Sequence, residues 1–311
     1  MRWLDHREPI PEALRGAVIA LGNFDGFHRG HQAVAGEAIE WAHAEGRPSI
    51  IATFDPHPVR FFRPDVPPFR LTTLEQRQEL YLAAGATAML VFHFGKDLAS
   101  TSAEDFITEI LIKRFGAHGV VTGADFSFGK MAKGNIELLQ TFGAERGLKS
   151  RVVEAVESDG VVSSSRVREA LRDGNPQLAA ELLTRPFAIR GIVEHGDKNG
   201  RKLGYPTANV AIEHYLRPKY GVYAVTGKIL ATGEVLKGAA NIGIRPQFEP
   251  PKELLEPHFF DFSSDLYGQE IEVAFHQFLR GEAKFESLDD LVAQMDKDCA
   301  EARRLLSALP Q

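Results

Sequence analysis

The chain has 311 residues, of which 44% are hydrophobic and 25% are charged, and its formal net charge is −6. This balance excludes a disordered chain, and the acidic net charge argues against a general attraction to nucleic acid. With roughly 150 residues per domain as a guide, the length predicts two domains. Cys299 is the single cysteine, which excludes an intramolecular disulfide and favours simple packing in a reducing cytoplasm. We see no signal peptide and no apolar run long enough to span a membrane, so we expect a cytoplasmic protein.

The first half of the chain alternates short apolar runs with helical patterns. Predicted strands lie at residues 17–21, 49–54, 88–92 and 119–123 and near 150–154. Predicted helices lie near residues 30–44, 74–84, 103–115, 135–146, 164–172 and 176–183. This rhythm is typical of a parallel sheet covered by helices, and it predicts an α/β domain over residues 1–184.

From about residue 186 the pattern changes to closely spaced strand-like runs separated by glycine, proline and aspartate. The runs are FAIRGIVEH, YPTANVAI, GVYAVTGKIL, GAANIGI, HFFDF and EIEVAFHQFL. Such a series predicts a small antiparallel β-barrel over residues 185–311. An amphipathic helix from about Ser287 to Leu306 is expected to follow the last strand.

The segment GNFDGFHRGH follows the first predicted strand and leads into a helix. Glycines at such a turn let the backbone approach a ligand, and the helix N-terminus offers N–H groups to anionic oxygens. His28 and His31 are three residues apart, so on a helix they share a face and can both donate hydrogen bonds to a triphosphate. We therefore predict a phosphate site in which these histidines act with a set of nucleotide-binding residues, Gly22, Asn23, Phe24, Asp25, Gly26 and Gly30.

Other phosphate-binding motifs are excluded by inspection. The run from Gly123 to Lys130 has the wrong glycine spacing for a P-loop, and Met131 stands where serine or threonine would bind magnesium. No GxGxxG is present. Through GNFDGFHRGH the first half instead resembles the HxGH nucleotidyltransferase superfamily, whose Rossmann-like members transfer a nucleotidyl group without a covalent intermediate.

Further motifs narrow the resemblance of the first half: TFDPHP, RLTTLEQR, GADFSFGKMAKG and VSSSRVREAL. In this order they are similar to the FAD synthetase module of the prokaryotic bifunctional riboflavin kinase/FAD synthetase family. That resemblance implies ATP as co-substrate and FMN as acceptor. It also implies site roles for Gly123 and for Asp125, which at a strand end could hold magnesium or another divalent metal, and for His57 as a ligand contact.

The run VSSSRVREAL contributes helix-capping hydroxyls and cationic donors to the predicted first site. Its serines, including Ser163 and Ser164, could cap the following helix, and Arg166 and Arg168 could bind phosphate or the leaving pyrophosphate. Arg168 holds the last position of the family's SSTxIR-like segment, which favours it as the catalytic arginine.

A second set of candidates lies in GDKNGRKLGYPTANV. Gly200, Arg201 and Gly204 form a flexible basic approach to the segment from Pro206 through Ala208. Thr207 and Asn209 alternate on a strand-like segment, so both can point to one side and share a magnesium ion.

The second half resembles the riboflavin kinases, for which PTAN is the magnesium and ATP signature. The family features GVYAV, NIGIRP, LEPHFFDF, LYGQ and FLRGEAKF follow in order, so the resemblance covers approximately residues 15–307. It places Glu256 as the general base that accepts the proton of the riboflavin 5′-hydroxyl, and Arg280 as a phosphate or flavin contact.

Two departures from the family pattern concern the kinase half. Gln247 replaces the usual threonine of RPTF, and Pro257 directly follows Glu256, where it removes an N–H and favours an extended backbone. The resemblance implies riboflavin, FMN, FAD and ATP as partners and neither nucleic acid nor membrane, with a homo-oligomer left open. A monofunctional enzyme with one drifted module, a transferase for another acceptor, and a binding regulator without turnover remain alternatives.

Overall fold

The computed structural model describes residues 2–195, 204–245 and 252–309, and the side chains of residues 245 and 252 lie outside that description. Gly200, Arg201 and Gln247 therefore lie outside the described residues. By their contacts the residues form two compact units, one of Met1–Pro67 with Thr72–Ser163 and one of Pro68–Leu71 with Ser164–Gln311.

The first unit contains a parallel sheet of six strands, as the alternating pattern predicts. The strands are β1 (Arg2–Asp5), β2 (Val18–Leu21), β3 (Ser49–Asp55), β4 (Ala88–His93), β5 (Gly119–Gly123) and β6 (Lys149–Val153). Apolar residues cover both faces of the central strands, so each face carries its own hydrophobic core.

The strand order is β1-β4-β3-β2-β5-β6. From β2 the chain adds β3 and β4 on one side, and it then returns to add β5 on the other side of β2. The carboxyl ends of β2 and β5 therefore flank the point where the direction of strand addition reverses, which in open α/β sheets is where ligands bind.

The helices of the first unit are α1 (Arg29–Ala44), α2 (Pro58–Phe62), α3 (Leu74–Ala83), α4 (Lys96–Ser100), α5 (Ala103–Asp105) and α6 (Ile136–Ala144). The helix predicted near 103–115 is present, but after α5 it continues as a π-helical segment, Phe106–Arg114. Sequence analysis did not predict β1, α2 or α4, each of which is too short to display a periodic apolar pattern.

The second unit contains a closed barrel with strand order β10-β11-β8-β7-β12-β9. Its strands are β7 (Phe187–Glu194), β8 (Asn209–Ala211), β9 (Gly221–Ile229), β10 (Val235–Arg245), β11 (Lys252–Phe259) and β12 (Glu270–Arg280). Neighbouring strands of this barrel pair in antiparallel fashion. The barrel predicted from the sequence is thus present.

Helix α9 (Leu288–Ser307) closes one side of the barrel. Ser287 caps it by accepting a hydrogen bond from the Asp290 N–H, and Lys237 Nζ donates to the Leu306 carbonyl at its other end. Its apolar face packs on a group of strand residues, Val222, Ala224 and Ala239, with Phe260. The predicted terminal helix is confirmed.

Two further helices, α7 (Ser164–Arg172) and α8 (Pro176–Leu183), belong to the second unit. Helix α8 packs against β12 and β7, and it buries Leu182 and Leu183. By its contacts the second unit therefore begins before α7, whereas the boundary predicted from the change of pattern lies near residues 184–186 and stays a prediction.

No helix in the described part of the chain combines the length and the apolar character needed to cross a membrane.

Candidate functional sites

The loop after β2 is held in a conformation that its glycines permit. Phe24, Gly26 and Phe27 have positive φ angles of 46°, 84° and 45°, which are costly for side chains other than glycine. A Cβ on Gly22 would stand 2.9 Å from the Phe24 ring. The loop therefore needs glycine at position 22 to keep Phe24 buried against the core.

His28 and His31 come together at the start of α1. His28 is the N-cap residue, and its Nδ1 accepts a hydrogen bond from the His31 N–H at 3.4 Å. The two rings stack with their centroids 3.6 Å apart. Because Nδ1 of His28 acts as an acceptor, the neutral ring carries its proton on Nε2. This arrangement equips the helix N-terminus with imidazole donors as well as backbone N–H groups.

Gly30 lies between the two histidines and makes room for them. A Cβ at this position would stand 3.2 Å from Cε1 of His28 and 3.3 Å from the Val162 carbonyl oxygen. A larger residue would have to displace the imidazole ring. Gly30 therefore leaves space for the His28 ring, and a direct contact of Gly30 with nucleotide stays a prediction.

Asp25 belongs to the same loop, and its side chain is buried. Its carboxylate is 1% exposed and accepts from Arg77 Nη2 at 2.9 Å and from the Thr72 N–H at 3.1 Å. Asn23 is exposed, and its carbonyl accepts from the Thr53 hydroxyl at 2.6 Å. A nucleotide-binding role for these residues remains a prediction from the family resemblance.

Two more predicted residues follow the ends of β3 and β5, the strands on either side of β2 in the same sheet. His57 comes after β3 and caps α2, where its Nδ1 accepts from the Val59 N–H at 3.2 Å. Asp125 comes after β5 and is exposed, with Oδ1 3.1 Å from the place where a Cβ of Gly123 would stand. Because the carboxyl ends of parallel strands share one edge, the sheet brings these loops to the edge that carries His28.

Sequence analysis missed an aromatic group at this edge. Phe61 and Phe62 lie in α2, and their rings are 5.5 Å and 5.7 Å from Phe94, which also contacts Phe54. Phe62 is 63% exposed, although it is a large apolar side chain. The pair of phenylalanines shortly after TFDPHP is the signal that could have indicated a surface for a flat ring.

The predicted residues of VSSSRVREAL lie around the start of α7. The helix begins at Ser164, so Ser163 precedes its first turn. Arg168 Nε donates to the Phe69 carbonyl at 2.9 Å, and its guanidinium lies 5.1 Å from the centre of the Phe69 ring. Arg166 is half-buried. Ser163 belongs to the first compact unit, and Ser164 and both arginines belong to the second.

In the barrel, the PTAN segment lies beside the strand that carries Glu256. Leu255 pairs with Val210, and the Ala208 N–H donates to the Pro257 carbonyl at 2.9 Å. Asn209 and Glu256 are therefore cross-strand neighbours on one face. Strand β8 begins only at Asn209, so Thr207 precedes it, contrary to the expectation that both residues lie on a strand.

Two further hydrogen bonds hold Tyr205 and Pro206, the residues directly before Thr207. Nδ1 of His258 hydrogen-bonds the Pro206 carbonyl at 2.9 Å, and the Tyr205 hydroxyl donates to Asp296 on α9. This bond and burial raise the pKa of Tyr205 to about 12, so the hydroxyl keeps its proton. Gly204 has a φ angle of 85° and marks the turn before them.

Two polar residues that neighbour Asn209 and Glu256 in the barrel were not predicted. Asn241 on β10 pairs with Glu256, and Glu194 on β7 pairs with Asn209. Directly paired residues of antiparallel strands point to the same face, so four strands supply one polar row. The NIGIRP motif contains Asn241, but its importance depends on a register that the sequence does not reveal.

Pro257 is compatible with the position of Glu256 in the sheet. Its carbonyl faces β8, and the missing N–H would face the same side, because both groups of one strand residue point in one direction. The pairing of Glu256 with Asn241 on β10 is retained. The proline therefore costs one hydrogen bond at the end of β8 and leaves the carboxylate on the strand.

The structure gives Arg280 a partner on α9. Its Nη2 lies 2.8 Å from Asp298 Oδ2, and Asp298 also accepts from Gln294 Nε2 at 2.9 Å. Asp298 is 7% exposed. Arg280 thus joins β12 to α9, and a phosphate or flavin contact by this residue stays a prediction.

The donors at the second site suit a magnesium ion that arrives with ATP. The hydroxyl of Thr207 and the amide oxygen of Asn209 are hard oxygen ligands, which magnesium prefers. Residues 2–195, 204–245 and 252–309 contain no cluster of three or more His, Cys, Asp or Glu side chains placed to hold a metal. A nucleotide-borne ion needs no such cluster, because phosphates and water complete its coordination.

Comparison with known proteins supports the family resemblance of both halves of the chain. A family model described as FAD synthetase matches residues 10–167, and one described as riboflavin kinase matches residues 183–306. The bifunctional riboflavin kinase/FMN adenylyltransferase of Escherichia coli K12 is 40% identical over 290 residues, which cover 93% of this chain and 92% of that protein. The Bacillus subtilis protein of the same name is 38% identical and covers 96% of both chains.

A solved structure has the same fold over almost the whole chain. It is described as a macrolide-efflux protein from Streptococcus pneumoniae, and it matches with a TM-score of 0.86 and 29% identity over 98% of this chain and 99% of that one. Its description differs from the names of the sequence relatives. The two domain matches and the length of the shared sequence decide the assignment: the chain belongs to the bifunctional riboflavin kinase/FMN adenylyltransferase family.

Proposed function

We propose that this chain phosphorylates riboflavin to FMN at the barrel and adenylylates FMN to FAD at the parallel sheet, using ATP in both reactions. The observation that carries the proposal is that each half presents its own set of phosphate-directed groups. The stacked His28 and His31 stand at a helix N-terminus beside the switch point of the sheet. Glu256 and Asn209 stand side by side on the barrel.

In the adenylylation, a phosphate oxygen of FMN attacks the α-phosphorus of ATP and pyrophosphate leaves. The attacking group is already an anion, so the protein needs no covalent nucleophile and acts by positioning and charge stabilisation. His28, His31 and the first N–H groups of α1 would donate to the phosphate oxygens on which charge develops. Asp125 would hold a divalent metal that neutralises the polyphosphate, and Arg166 and Arg168 are proposed to bind the pyrophosphate.

We assign the flavin ring of FMN to the aromatic group formed by Phe54, Phe61, Phe62 and Phe94. The exposed Phe62 offers a face for a planar ring, which stacks favourably on aromatic side chains. The group lies where β3 and β4 end, beside the loop that carries His57. FMN would then extend along the carboxyl edge of the sheet toward the histidine pair.

In the phosphorylation, the 5′-hydroxyl of riboflavin attacks the γ-phosphorus of ATP and ADP leaves. Glu256 would orient the hydroxyl and accept its proton as the new bond forms. Thr207 and Asn209 would hold magnesium, which offsets the charge of the phosphates. Gly200, Arg201 and Gly204 are proposed to bind the nucleotide as part of the same segment.

Incubating the protein with riboflavin, ATP and magnesium, and then separating the flavins by chromatography, tests the two-step function. We expect FMN to appear first and FAD to follow. FMN without FAD, or FAD only from supplied FMN, would instead indicate that one of the two domains has lost its expected activity. Flavin binding without either product would identify a regulator.

The proposed boundary near residues 184–185 is tested with two fragments. Both Ser164–Gln311 and Leu183–Gln311 should make FMN but no FAD, and the longer fragment should be more stable because it keeps α8 on β12 and β7. FAD formation by either folded fragment would contradict the assignment of the halves.

The cytoplasmic location rests on the single cysteine and remains part of the proposal, as does a homo-oligomer. Fractionation of cells and light scattering of the purified protein would test these two points.

A further inference from the structure

Arg77 makes a buried hydrogen-bonded network below the adenylylation site. Its guanidinium is 3% exposed, and it pairs with the 1% exposed carboxylate of Asp25 at 2.9 Å. Its Nε donates to the Thr72 hydroxyl at 3.1 Å, and its Nη1 donates to the Thr53 hydroxyl at 3.0 Å. One side chain thus joins the loop after β2, the strand β3 and the start of α3.

Thr72 and Thr53, the two threonine partners of Arg77, also form hydrogen bonds with residues of the loop after β2. The Thr72 N–H and hydroxyl donate to Asp25 Oδ1, and the Thr72 hydroxyl accepts from the Gly26 N–H at 2.9 Å. The Thr53 hydroxyl donates to the Asn23 carbonyl at 2.6 Å. Three positions of the loop are therefore fixed by groups that lie outside it.

The loop needs such support because its backbone is strained. Phe24 and Phe27 both have positive φ angles, and each such residue costs roughly 1–3 kcal/mol unless its surroundings hold it. The loop leads directly into His28, the N-cap residue of α1. Relaxation of the loop would consequently turn the first helical turn and the histidine pair away from their present positions.

Burial also argues against a direct ligand role for Asp25. To bind magnesium or a hydroxyl of the nucleotide, the carboxylate would have to leave Arg77, and a buried guanidinium without its partner is strongly unfavourable. Lysine could not replace Arg77, because an ammonium group lacks the planar fork that reaches Asp25, Thr72 and Thr53 together.

We infer that Arg77 is a positioning residue for FMN adenylylation, and that Asp25 serves as its buried counter-ion and loop anchor without binding nucleotide or metal. The inference rests on the proposed adenylylation site. It adds a requirement that the histidine motif does not contain: the reaction depends on an arginine that stands outside the loop and has no access to the ligand.

The test compares Arg77→Ala and Arg77→Lys in the full-length protein, with riboflavin phosphorylation and FMN adenylylation measured on the same samples. We expect kcat for FAD formation to fall about 10²-fold in both variants, since a displacement of about 1 Å can cost that much. FMN formation should stay unchanged. The KM for ATP and the magnesium dependence should change little, because neither ligand touches the pair.

Chemical rescue separates positioning from general loss of folding. Guanidinium ion added at low millimolar concentration should restore part of the FAD formation of Arg77→Ala by filling the vacated space, and it should not restore Arg77→Lys, whose side chain occupies that space. Arg47→Ala is the matched control: it removes a hydrogen-bonded partner of Glu45 in the same unit, 3.0 Å away, and should keep FAD formation with or without guanidinium.

Full activity of Arg77→Lys would overturn the inference, as would a loss in Arg77→Ala that guanidinium leaves unchanged. A raised magnesium requirement in Asp25→Asn with normal kcat at saturation would also overturn it, by identifying Asp25 as a metal ligand. His31→Ala, measured in the same series, distinguishes failure of the proposed adenylylation site from failure of the role proposed for Arg77. If that variant keeps FAD formation, the proposed site is wrong, whereas activity in Arg77→Lys beside an inactive His31→Ala contradicts only the role of Arg77.

Discussion

The two units hold their functional groups in different ways. In the first, the histidines and the predicted Asp125 follow strand ends, so they stand on loops and on a helix N-terminus beyond the sheet. In the second, Asn209 and Glu256 belong to the strands themselves and are neighbours through the hydrogen-bond ladder. The first arrangement depends on how loops are supported, and the second depends on strand register.

This difference determines what each site can tolerate. A loop at a strand end can change without altering the sheet, but its geometry must be held from outside, as Arg77 and Thr72 do here. A residue on a strand is held by the ladder, but a shift of register by one position would turn it to the opposite face. We therefore expect substitutions at the barrel site to act locally, and those at the loop site to act through its supports.

The largest effect is expected at Glu256. Glu256→Gln keeps the size of the side chain but removes the proton acceptor, so FMN formation should fall by about 10²–10⁴ while FAD formation from supplied FMN is unaffected. Steady-state rates of both reactions provide the measurement. Glu253→Gln on the same strand is the control, since Glu253 binds Arg217 and Tyr220 and should leave the rate nearly unchanged. A fully active Glu256→Gln enzyme would exclude Glu256 as the base.

His31→Ala tests the loop site, and its expected effect is slightly smaller. Loss of one preorganised donor should lower kcat for FAD formation by about 10²–10³ and leave FMN formation intact. His43→Ala, in the last turn of the same helix and exposed, should affect neither reaction. If both activities fell equally in folded His31→Ala protein, a shared structural role would replace the catalytic one.

A moderate effect on stability is expected from Arg280→Met. The substitution leaves Asp298 without its ionic partner, and for this partly exposed pair we expect a loss of about 2 kcal/mol in the free energy of unfolding. Arg303→Met, which removes an exposed pair with Asp261 from the same helix, should cost about 0–1 kcal/mol. Urea titration measures both. Normal stability with a raised KM for riboflavin or ATP would instead assign Arg280 to substrate binding.

The smallest effect concerns Cys299. Burial raises the pKa of its thiol to about 11, so at pH 8 little of the reactive thiolate is present. Iodoacetamide should modify the folded protein slowly, with a rate that rises toward pH 11, and should modify the urea-unfolded protein much faster. Rapid modification of the native protein at pH 8 would show that α9 opens easily.

The sequence predicted both folds, because long helices and β-strands leave periodic apolar patterns. It also pointed to His28 and His31, which are local to one motif and which the structure stacks at the start of α1; their role in the reaction stays a prediction. It could not reveal that Asp25 is buried against Arg77, or that Arg280 meets Asp298, because each pair joins segments that only tertiary packing brings together. Asn241 escaped notice for a similar reason, since its importance follows from strand register.

The order of strands also has a consequence for the behaviour of the protein at high concentration. The described strands of the second unit form a closed barrel, and the sheet of the first unit ends in the short strands β1 and β6. Arg2 and Lys149 are exposed on these edge strands. Short, charged edges discourage the strand-to-strand addition by which chains aggregate. Within residues 2–195, 204–245 and 252–309, neither unit therefore presents a long apolar edge on which a neighbouring molecule could build an intermolecular sheet.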